Sequence, residues 1–109
     1  MGLFTTKPIE EREPHEFKDL LKNKEIEVSP HAFDHINSEQ RKVFKEEELI
    51  LLAQRETPRK AYLQANGRYS AYYRKEEGYR KLIFDIKARK AIIVTFIDVP
   101  ELPKISLEK

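Results

Sequence analysis

The sequence predicts an α+β fold, in which a short N-terminal strand and two to three helices pack on a four-stranded antiparallel meander. Three observations predict it. Apolar residues before Pro58 recur mostly at helical spacing, whereas after Arg59 they alternate with a period of two. Between two such alternating runs stands Asn66-Gly67, which is typical of a two-residue type I′ hairpin turn. Helices that precede the strands as a separate block favour one sheet with helices on one face.

The first residues of the chain are predicted to lie outside the domain. Residues 1–13 combine mixed charges with few apolar side chains, so we expect a flexible arm. Pro14 suits the first turn of a helix, where its missing N–H costs nothing. The helix that follows carries an apolar face at i, i+3 and i+4 spacing: Phe17, Leu20 and Leu21.

A short strand and two further helices are predicted next. Residues 24–28 alternate between apolar and acidic side chains, which indicates a strand. Ser29-Pro30 is typical of a helix start, with a hydroxyl N-cap before a proline. Another helix is predicted over residues 45–56. It ends at Thr57-Pro58, because the residue before a proline is pushed out of helical backbone.

Four strands are predicted to follow, bounded by turn residues: 59–65, 68–74, 79–87 and 90–97. Two prolines near the C-terminus, Pro100 and Pro103, then mark the end of the sheet. We therefore predict a single domain over residues 14–98 and a C-terminal tail over residues 99–109.

Alternation along the last strand assigns its apolar residues to two faces. Ile92, Val94 and Phe96 would lie together, opposite Ile93 and Ile97. Apolar residues on both faces predict that this strand is buried on both sides.

Composition bounds the class of protein. The chain has 109 residues, 39% of them hydrophobic, enough for one domain with a modest core. It contains no cysteine, which excludes disulfides, thiolate metal sites and cysteine nucleophiles. No apolar run approaches the roughly 20 residues of a membrane helix, and the N-terminus lacks the apolar core of a signal peptide. We therefore predict a cytoplasmic protein with no membrane partner, and its high Lys and Glu content is typical of thermophiles.

Charge is distributed unevenly along the chain. All five tyrosines and ten of the 21 Lys and Arg residues fall between Arg59 and Lys90, with only three acids. That stretch carries +7 in a chain whose net charge is +2. Cations attract phosphates and aromatic rings stack on bases, so the pattern indicates a polyanion such as RNA. An ordinary sheet explains it too, since Tyr favours strands and Lys and Arg protect sheet edges.

The candidate site residues belong to this basic, tyrosine-rich stretch. Those predicted to bind nucleic acid are Arg59, Lys60, Arg68, Tyr69, Arg74 and Arg80. A nuclease without a metal needs a cation that stabilises the phosphorane and a group that transfers protons. The candidates for these catalytic roles are Arg68, Tyr73, Arg74 and Lys81.

Alternation along the strands prevents all these residues from sharing one surface. Arg68, Tyr72 and Arg74 lie on one face of their predicted strand, and Tyr69 and Tyr73 on the other. We expect one tyrosine row to pack under the helices and the other to stay solvated beside arginine.

A histidine pair provides a second candidate site. His31 and His35 stand four residues apart, which places them on one face of a helix. That spacing suits a metal pair or an acid–base pair, but Ala32 stands where zinc enzymes of the H-E-x-x-H type have glutamate. A pair that fixes the helix by hydrogen bonds is the simpler interpretation. We predict no metal and no cofactor.

Residues from Ile26 to Ile97 resemble the RelE/ParE toxin superfamily, and most closely an uncharacterised small-domain family grouped beside RelE and the BrnT toxins. The similarity lies in short segments that include Ser29-Pro30-His31-Ala32, Asn66-Gly67-Arg68-Tyr69 and Ile92-Ile93-Val94-Thr95. The resemblance implies a RelE-like fold and a small antitoxin protein as a partner. RelE-like members cleave messenger RNA on the ribosome with Arg, Lys and Tyr, whereas ParE-like members act on gyrase and have no nuclease activity.

Two functions are consistent with these patterns. The first is a toxin-like protein that binds or cleaves RNA, on the ribosome or free, without a metal. The second is a non-catalytic interaction protein that forms a homodimer through its sheet edge or its arm. The sequence leaves open whether the protein is an enzyme, since it contains no phosphate loop, nucleophile motif or catalytic triad.

Overall fold

A mixed six-stranded β-sheet forms the centre of the protein. The computed structural model describes residues 7–34 and 45–104. The strands are β1 (Pro8–Arg12), β2 (Glu25–Val28), β3 (Lys60–Gln64), β4 (Tyr69–Arg74), β5 (Tyr79–Ile86) and β6 (Lys90–Val99). The helices in these ranges are α1 (Pro14–Leu21) and α2 (Glu46–Arg55). The strand order is β1-β3-β4-β5-β6-β2, with β2 parallel to β6 and all other neighbours antiparallel.

The predicted fold class is therefore wrong. A short N-terminal strand and two to three helices on a four-stranded antiparallel meander were expected. The described residues instead form one mixed sheet of six strands and only two helices, so the fold is mostly sheet. β3 to β6 do run as a meander, but β1 and β2 add a strand at either edge. Pairing of β1 with β3 and of β2 with β6 joins segments that are distant in sequence. Local periodicity reports a strand but not its partner, so the sheet was underestimated.

β1 lies inside the segment that the sequence predicts as a flexible arm. Its side chains are mostly exposed, so no apolar pattern marks it. Its backbone nevertheless pairs with β3, from Pro8 opposite Gln64 to Arg12 opposite Ala61. Residues 8–12 thus belong to the sheet because of backbone hydrogen bonding, which a side-chain pattern does not reveal.

α1 begins at Pro14, where the sequence predicts a helix to start. The Glu13 carboxylate caps it by accepting a hydrogen bond from the Glu16 N–H at 3.1 Å. Phe17 and Leu21 are buried, as their helical spacing indicates, whereas Leu20 at the edge of the stripe is 38% exposed.

α2 packs beside α1 and buries Leu49 and Ala53. Its first turn carries three glutamates, which meet the positive end of the helix dipole. Neither α1 nor α2, the helices of the described residues, is long and apolar enough to cross a membrane.

The hydrophobic core lies between the two helices and one face of the sheet, which we call the helix face. Its central residue is Phe17, whose ring contacts Phe84 at 5.5 Å and Tyr69 at 5.7 Å between centroids. The strand residues buried on this face include Ala61, Ala71, Tyr73, Leu82, Phe84, Ile93 and Phe96. We call the opposite side, which carries Lys60, Tyr62, Gln64, Tyr72 and Lys81, the second face.

A bulge in β6 overturns the predicted faces of that strand. Ile83 pairs with Thr95 but the next residue, Phe84, pairs with Ile93, so Val94 is the extra residue. Ile93 and Phe96, three positions apart, are consequently both buried on the helix face. Strict alternation would have separated them, because a period of two assumes that no residue is inserted.

The turn between β3 and β4 contains Asn66-Gly67, as predicted, but it is not of type I′. Gly67 alone has a positive φ, of 86°, and Asn66 does not. The Gly67 N–H donates to the Gln64 carbonyl at 3.0 Å, and the Asn66 side chain accepts from the Arg68 N–H at 2.9 Å. The turn is therefore longer than the two residues that a type I′ turn requires.

The helix predicted to start at Ser29-Pro30 is seen only in its first residues, which form turns. The Ser29 hydroxyl accepts from the His31 N–H at 3.2 Å, and the Ala32 N–H donates to the Ser29 carbonyl at 3.0 Å. The rest of that predicted helix, including His35, lies outside the described residues.

Candidate functional site

Within residues 7–34 and 45–104, five of the ten basic residues between Arg59 and Lys90 form ion pairs with carboxylates. The pairs are Lys60–Glu11 at 3.1 Å, Lys75–Asp98 at 3.3 Å, Arg80–Asp98 at 2.7 Å, Lys87–Asp85 at 3.5 Å and Lys90–Glu27 at 3.2 Å. Three of these four partners, Glu11, Glu27 and Asp98, come from outside the basic stretch. Tertiary structure thus neutralises about half of the charge that made the stretch conspicuous.

Arg80, which the sequence predicts to contact nucleic acid, forms an ion pair with Asp98 within the sheet. Its guanidinium donates to both carboxylate oxygens of Asp98, at 2.7 and 3.1 Å, and lies 5.7 Å from the centroid of the Phe96 ring. The hydrogen bond from Arg80 holds the pKa of Asp98 below its usual value. Lys60, another predicted contact, is similarly occupied by Glu11, whose hydrogen bond raises the pKa of the lysine.

The tyrosines of the helix face are not available to a surface ligand. Tyr73, a predicted catalytic residue, is fully buried, and burial raises the pKa of its phenol. Its hydroxyl has no hydrogen-bond partner among the described residues. Tyr69, a predicted nucleic-acid contact, is half-buried and packs on Phe17 at 5.7 Å. These two residues therefore support the core instead of a shared surface with Arg68.

Tyr73→Phe is expected to leave the fold as stable as before or slightly more stable. The reason is that the substitution removes a buried hydroxyl that makes no hydrogen bond to the described residues, and such a group costs about 1–3 kcal/mol of desolvation. Urea denaturation of the variant provides the measurement. A loss of more than about 1 kcal/mol would show that the hydroxyl has a partner in solution.

The second tyrosine row is buried as well, contrary to the expectation that it stays solvated. Tyr62 is 1% and Tyr72 6% exposed, and their rings meet edge to face with centroids 6.2 Å apart. Burial raises the pKa of both phenols. The Lys81 ammonium lies 5.6 Å from the Tyr72 ring centroid, so its side chain contributes to covering this row. Neither ring is free to stack on a base.

A groove on the second face brings together two of the remaining candidates, Arg68 and Lys81. Its volume is about 370 Å³, and it lies beside the β3–β4 turn and crosses to β5 and β6. Its polar lining residues are Gln64, Asn66, Arg68, Lys81 and Thr95. Its apolar wall is formed by Ile83, Val94 and Ile97, of which Ile97 is 46% exposed. Two of the four predicted catalytic residues, Arg68 and Lys81, therefore share one site.

The two cations of this groove, Arg68 and Lys81, are not among the five basic residues of the stretch that pair with a carboxylate. In residues 7–34 and 45–104 no carboxylate lies within ion-pair distance of Arg68 or Lys81. Arg68 is exposed, whereas Lys81 is half-buried, and this burial lowers the pKa of its ammonium group. An anion that enters the groove would restore to Lys81 the favourable interaction that it loses on leaving water.

Gln64 adds a hydrogen-bond acceptor that the fold does not use. The residue is 2% exposed and lines the groove, yet its Oε1 has no hydrogen-bond partner within the described part of the chain. A buried acceptor without a partner costs about 1–3 kcal/mol. Sequence reasoning missed this residue, because nothing in a strand pattern distinguishes a glutamine that faces a groove from one that faces solvent.

Arg59 and Arg74, which the sequence also predicts as site residues, lie outside the groove. Arg59 is exposed beside the start of β3, and its backbone N–H donates to the Tyr72 carbonyl at 2.7 Å. Arg74 is exposed at the end of β4 and lies 5.3 Å from the Tyr79 ring centroid. At about 3.3 Å per residue, the length of β4 places Arg74 some 20 Å from Arg68. Neither residue lines the groove.

The histidine candidates do not form a described metal site. His31 is highly exposed, and its Nδ1 lies 2.9 Å from Asp34 Oδ2, an interaction within one turn. The described residues contain no cluster of three or more potential metal ligands. His35 lies outside those residues.

A larger cavity, of about 660 Å³, lies between α1, α2 and β2. Two of its lysines already serve as structural donors: Lys18 binds the Arg55 carbonyl at 3.0 Å, and Lys24 binds the carbonyls of Lys87 and Ala88 at 2.8 and 2.9 Å. The groove on the second face is therefore the better candidate site, because its cations are not used in this way.

Comparison with protein-family models, with curated proteins and with solved structures finds no match to this chain. Relationship to the RelE/ParE superfamily stays a prediction from the sequence.

Proposed function

We propose that this protein binds single-stranded RNA without cleaving it, and that Arg68 and Lys81 hold the phosphate backbone in the groove of the second face. The observation that carries the proposal is the presence in one groove of two cations without a carboxylate partner among the described residues. Cations that the fold leaves unneutralised attract a polyanion and release its counterions.

The shape of the groove favours a single strand over a duplex. An apolar wall of Ile83, Val94 and Ile97 stands beside the two cations. A strand with unpaired bases can place a ribose or a base against such a wall while its phosphate meets the cations. Because Tyr62 and Tyr72 are buried, stacking on tyrosine contributes little, and affinity depends mainly on phosphate contacts.

Binding without cleavage requires fewer functional groups in the groove than cleavage does, so it is the function that we propose. Cleavage of RNA in the absence of a metal needs one group that accepts a proton and another that donates one. Lys81 lines the groove, but Tyr73, another candidate for proton transfer, is buried on the helix face.

Titration of a short, fluorescently labelled single-stranded RNA, followed by anisotropy at several salt concentrations, tests the proposal. With two phosphate contacts, we expect the logarithm of the association constant to fall with the logarithm of salt concentration with a slope of about −1.4. Arg68→Ala and Lys81→Ala should each weaken binding about tenfold and reduce the slope by about 0.7. The RNA should remain intact on a denaturing gel.

Arg89→Ala is the matched control. Arg89 is exposed beyond the end of β5 and does not line the groove, so its replacement removes the same charge elsewhere. We expect it to weaken binding less than about twofold, since an exposed charge beyond a Debye length of roughly 10 Å is screened. Equal losses for Arg68→Ala and Arg89→Ala, or binding that does not respond to salt, would contradict the groove as the site. Cleavage that depends on Lys81 would contradict the non-catalytic part.

The homodimer, the ribosome and an antitoxin protein stay predictions from the sequence. No described feature favours dimerisation at β1, whose open edge carries Glu10, Glu11 and Arg12 and has an irregular register. Charges and irregularities of this kind are typical of edge strands that resist pairing. For that reason RNA binding is the function that we propose.

A further inference from the structure

The groove contains one polar group that a phosphate cannot satisfy. Arg68 and Lys81 are hydrogen-bond donors only, and they suit an anion. Gln64 Oε1, by contrast, is an acceptor. It is buried, it has no hydrogen-bond partner in residues 7–34 and 45–104, and it belongs to a residue that lines the same groove. A ligand that satisfies all three residues must therefore carry both a negative charge and a hydrogen-bond donor.

A nucleotide combines these two properties in one molecule. Its phosphate carries the charge, and an exocyclic amino group on its base is a donor. The volume of the groove, about 370 Å³, lies near the lower end of the roughly 300–1,000 Å³ typical of small-molecule sites. It therefore accommodates one nucleotide better than several.

We infer that the groove is a base-selective subsite for a single nucleotide of the strand, in which the Gln64 amide turns toward the base and its Oε1 accepts a hydrogen bond from the exocyclic amino group. Arg68 and Lys81 hold the phosphates on either side of that nucleotide. This inference rests on the proposed function and adds selectivity to it. Adenine is the best match, because a glutamine amide pairs with its neighbouring N6 donor and N7 acceptor. On the corresponding edge uracil presents the O4 acceptor and no donor, so in this arrangement it leaves Gln64 Oε1 unsatisfied.

The test compares oligoadenylate with oligouridylate of equal length, by anisotropy, for the natural protein and for Gln64→Met. Methionine is similar in length and can occupy the same space, but it lacks the amide. We expect the natural protein to prefer oligoadenylate about tenfold, which is the lower part of the range for a good amide–adenine pair. In Gln64→Met the preference should fall below about twofold, while affinity for oligouridylate is unchanged.

Thermal denaturation of the same variant provides a second readout. If Gln64 is retained for a ligand, the unliganded Gln64→Met protein should melt at the same temperature as the natural protein or higher, because a buried acceptor without a partner has been removed. A purely structural glutamine would show the reverse, a lower melting temperature with base preference unaffected, and that result would overturn the inference. Thr95→Val, which alters another polar lining residue, is the matched control and should keep the preference.

The outcomes separate this inference from the proposed function. Salt-dependent RNA binding with equal affinity for the two strands overturns base selection and leaves RNA binding intact. Absence of RNA binding overturns both. Competition by adenosine monophosphate as strong as that of oligoadenylate, at equal nucleotide concentration and with uridine monophosphate weaker, supports the subsite but assigns it to free nucleotides, which contradicts the RNA strand as the ligand.

Discussion

Phe84→Ala is expected to lower the free energy of unfolding by about 3–5 kcal/mol, the range for removing a large aromatic side chain from a core. Phe84 is fully buried in β5, a central strand between β4 and β6, and its ring meets Phe17 edge-on at 5.5 Å. The substitution removes apolar surface from the core and leaves a cavity between the sheet and α1. Since small domains are stable by only about 5–15 kcal/mol, this is a large part of the total.

Urea denaturation measures this loss, with Leu51→Ala as the control. Leu51 lies on α2 and is 41% exposed, so its truncation creates no enclosed cavity. We expect it to cost less than about 1 kcal/mol. Similar losses for the two variants would show that Phe84 is not at the centre of the core. The same result would weaken the placement of α1 on the helix face.

Gly78→Ala is expected to destabilise the protein by about 3 kcal/mol, because it combines backbone strain with a collision. Gly78 has a φ of 77°, which L-residues with a side chain rarely adopt. A Cβ at this position would lie 2.5 Å from the Val99 carbonyl oxygen and 3.2 Å from Pro100 Cα. Both neighbours are backbone atoms, so relief requires movement of the chain that follows β6.

Gly67→Ala separates the two contributions. Gly67 has a similar φ of 86°, but a Cβ there would meet no atom within 4 Å. We expect this variant to lose only about 1 kcal/mol, from backbone strain alone. The melting temperatures of the two variants, recorded under the same conditions, provide the measurement. Gly67→Ala as destabilising as Gly78→Ala would mean that the close approach to Val99 and Pro100 is absent in solution.

The candidate site was only half predictable. Arg68 and Lys81 were both named from the sequence, and strand register explains why they meet: Lys81 pairs with Tyr72, on the same face as Arg68. Tyr73 and Arg80 fall on the opposite face, and Arg80 is further occupied by Asp98, a residue of β6. Whether a cation is free depends on where the acids of other segments lie.

Gln64 shows most clearly which part of the site the sequence could not predict. Its importance rests on being buried without a partner, and both properties arise only when β3 lies in the sheet beside the groove. A single glutamine at the end of a strand has no sequence pattern that predicts this. Histidine spacing had the opposite outcome: His31 is a conspicuous motif residue, but its imidazole is exposed and, among the described residues, contacts only the nearby Asp34 carboxylate.

The basic, tyrosine-rich meander and the start of the first helix at Pro14 were determined by the sequence itself, because turn residues, proline and side-chain periodicity act over a few neighbouring residues. In the described part of the chain, tertiary structure alone decided that the sheet has six strands, that β6 contains a bulge, and that half of the cations between Arg59 and Lys90 are neutralised. These features depend on backbone pairing and charge contacts between segments far apart in the chain. Such contacts form only when the whole domain folds, so no local pattern encodes them.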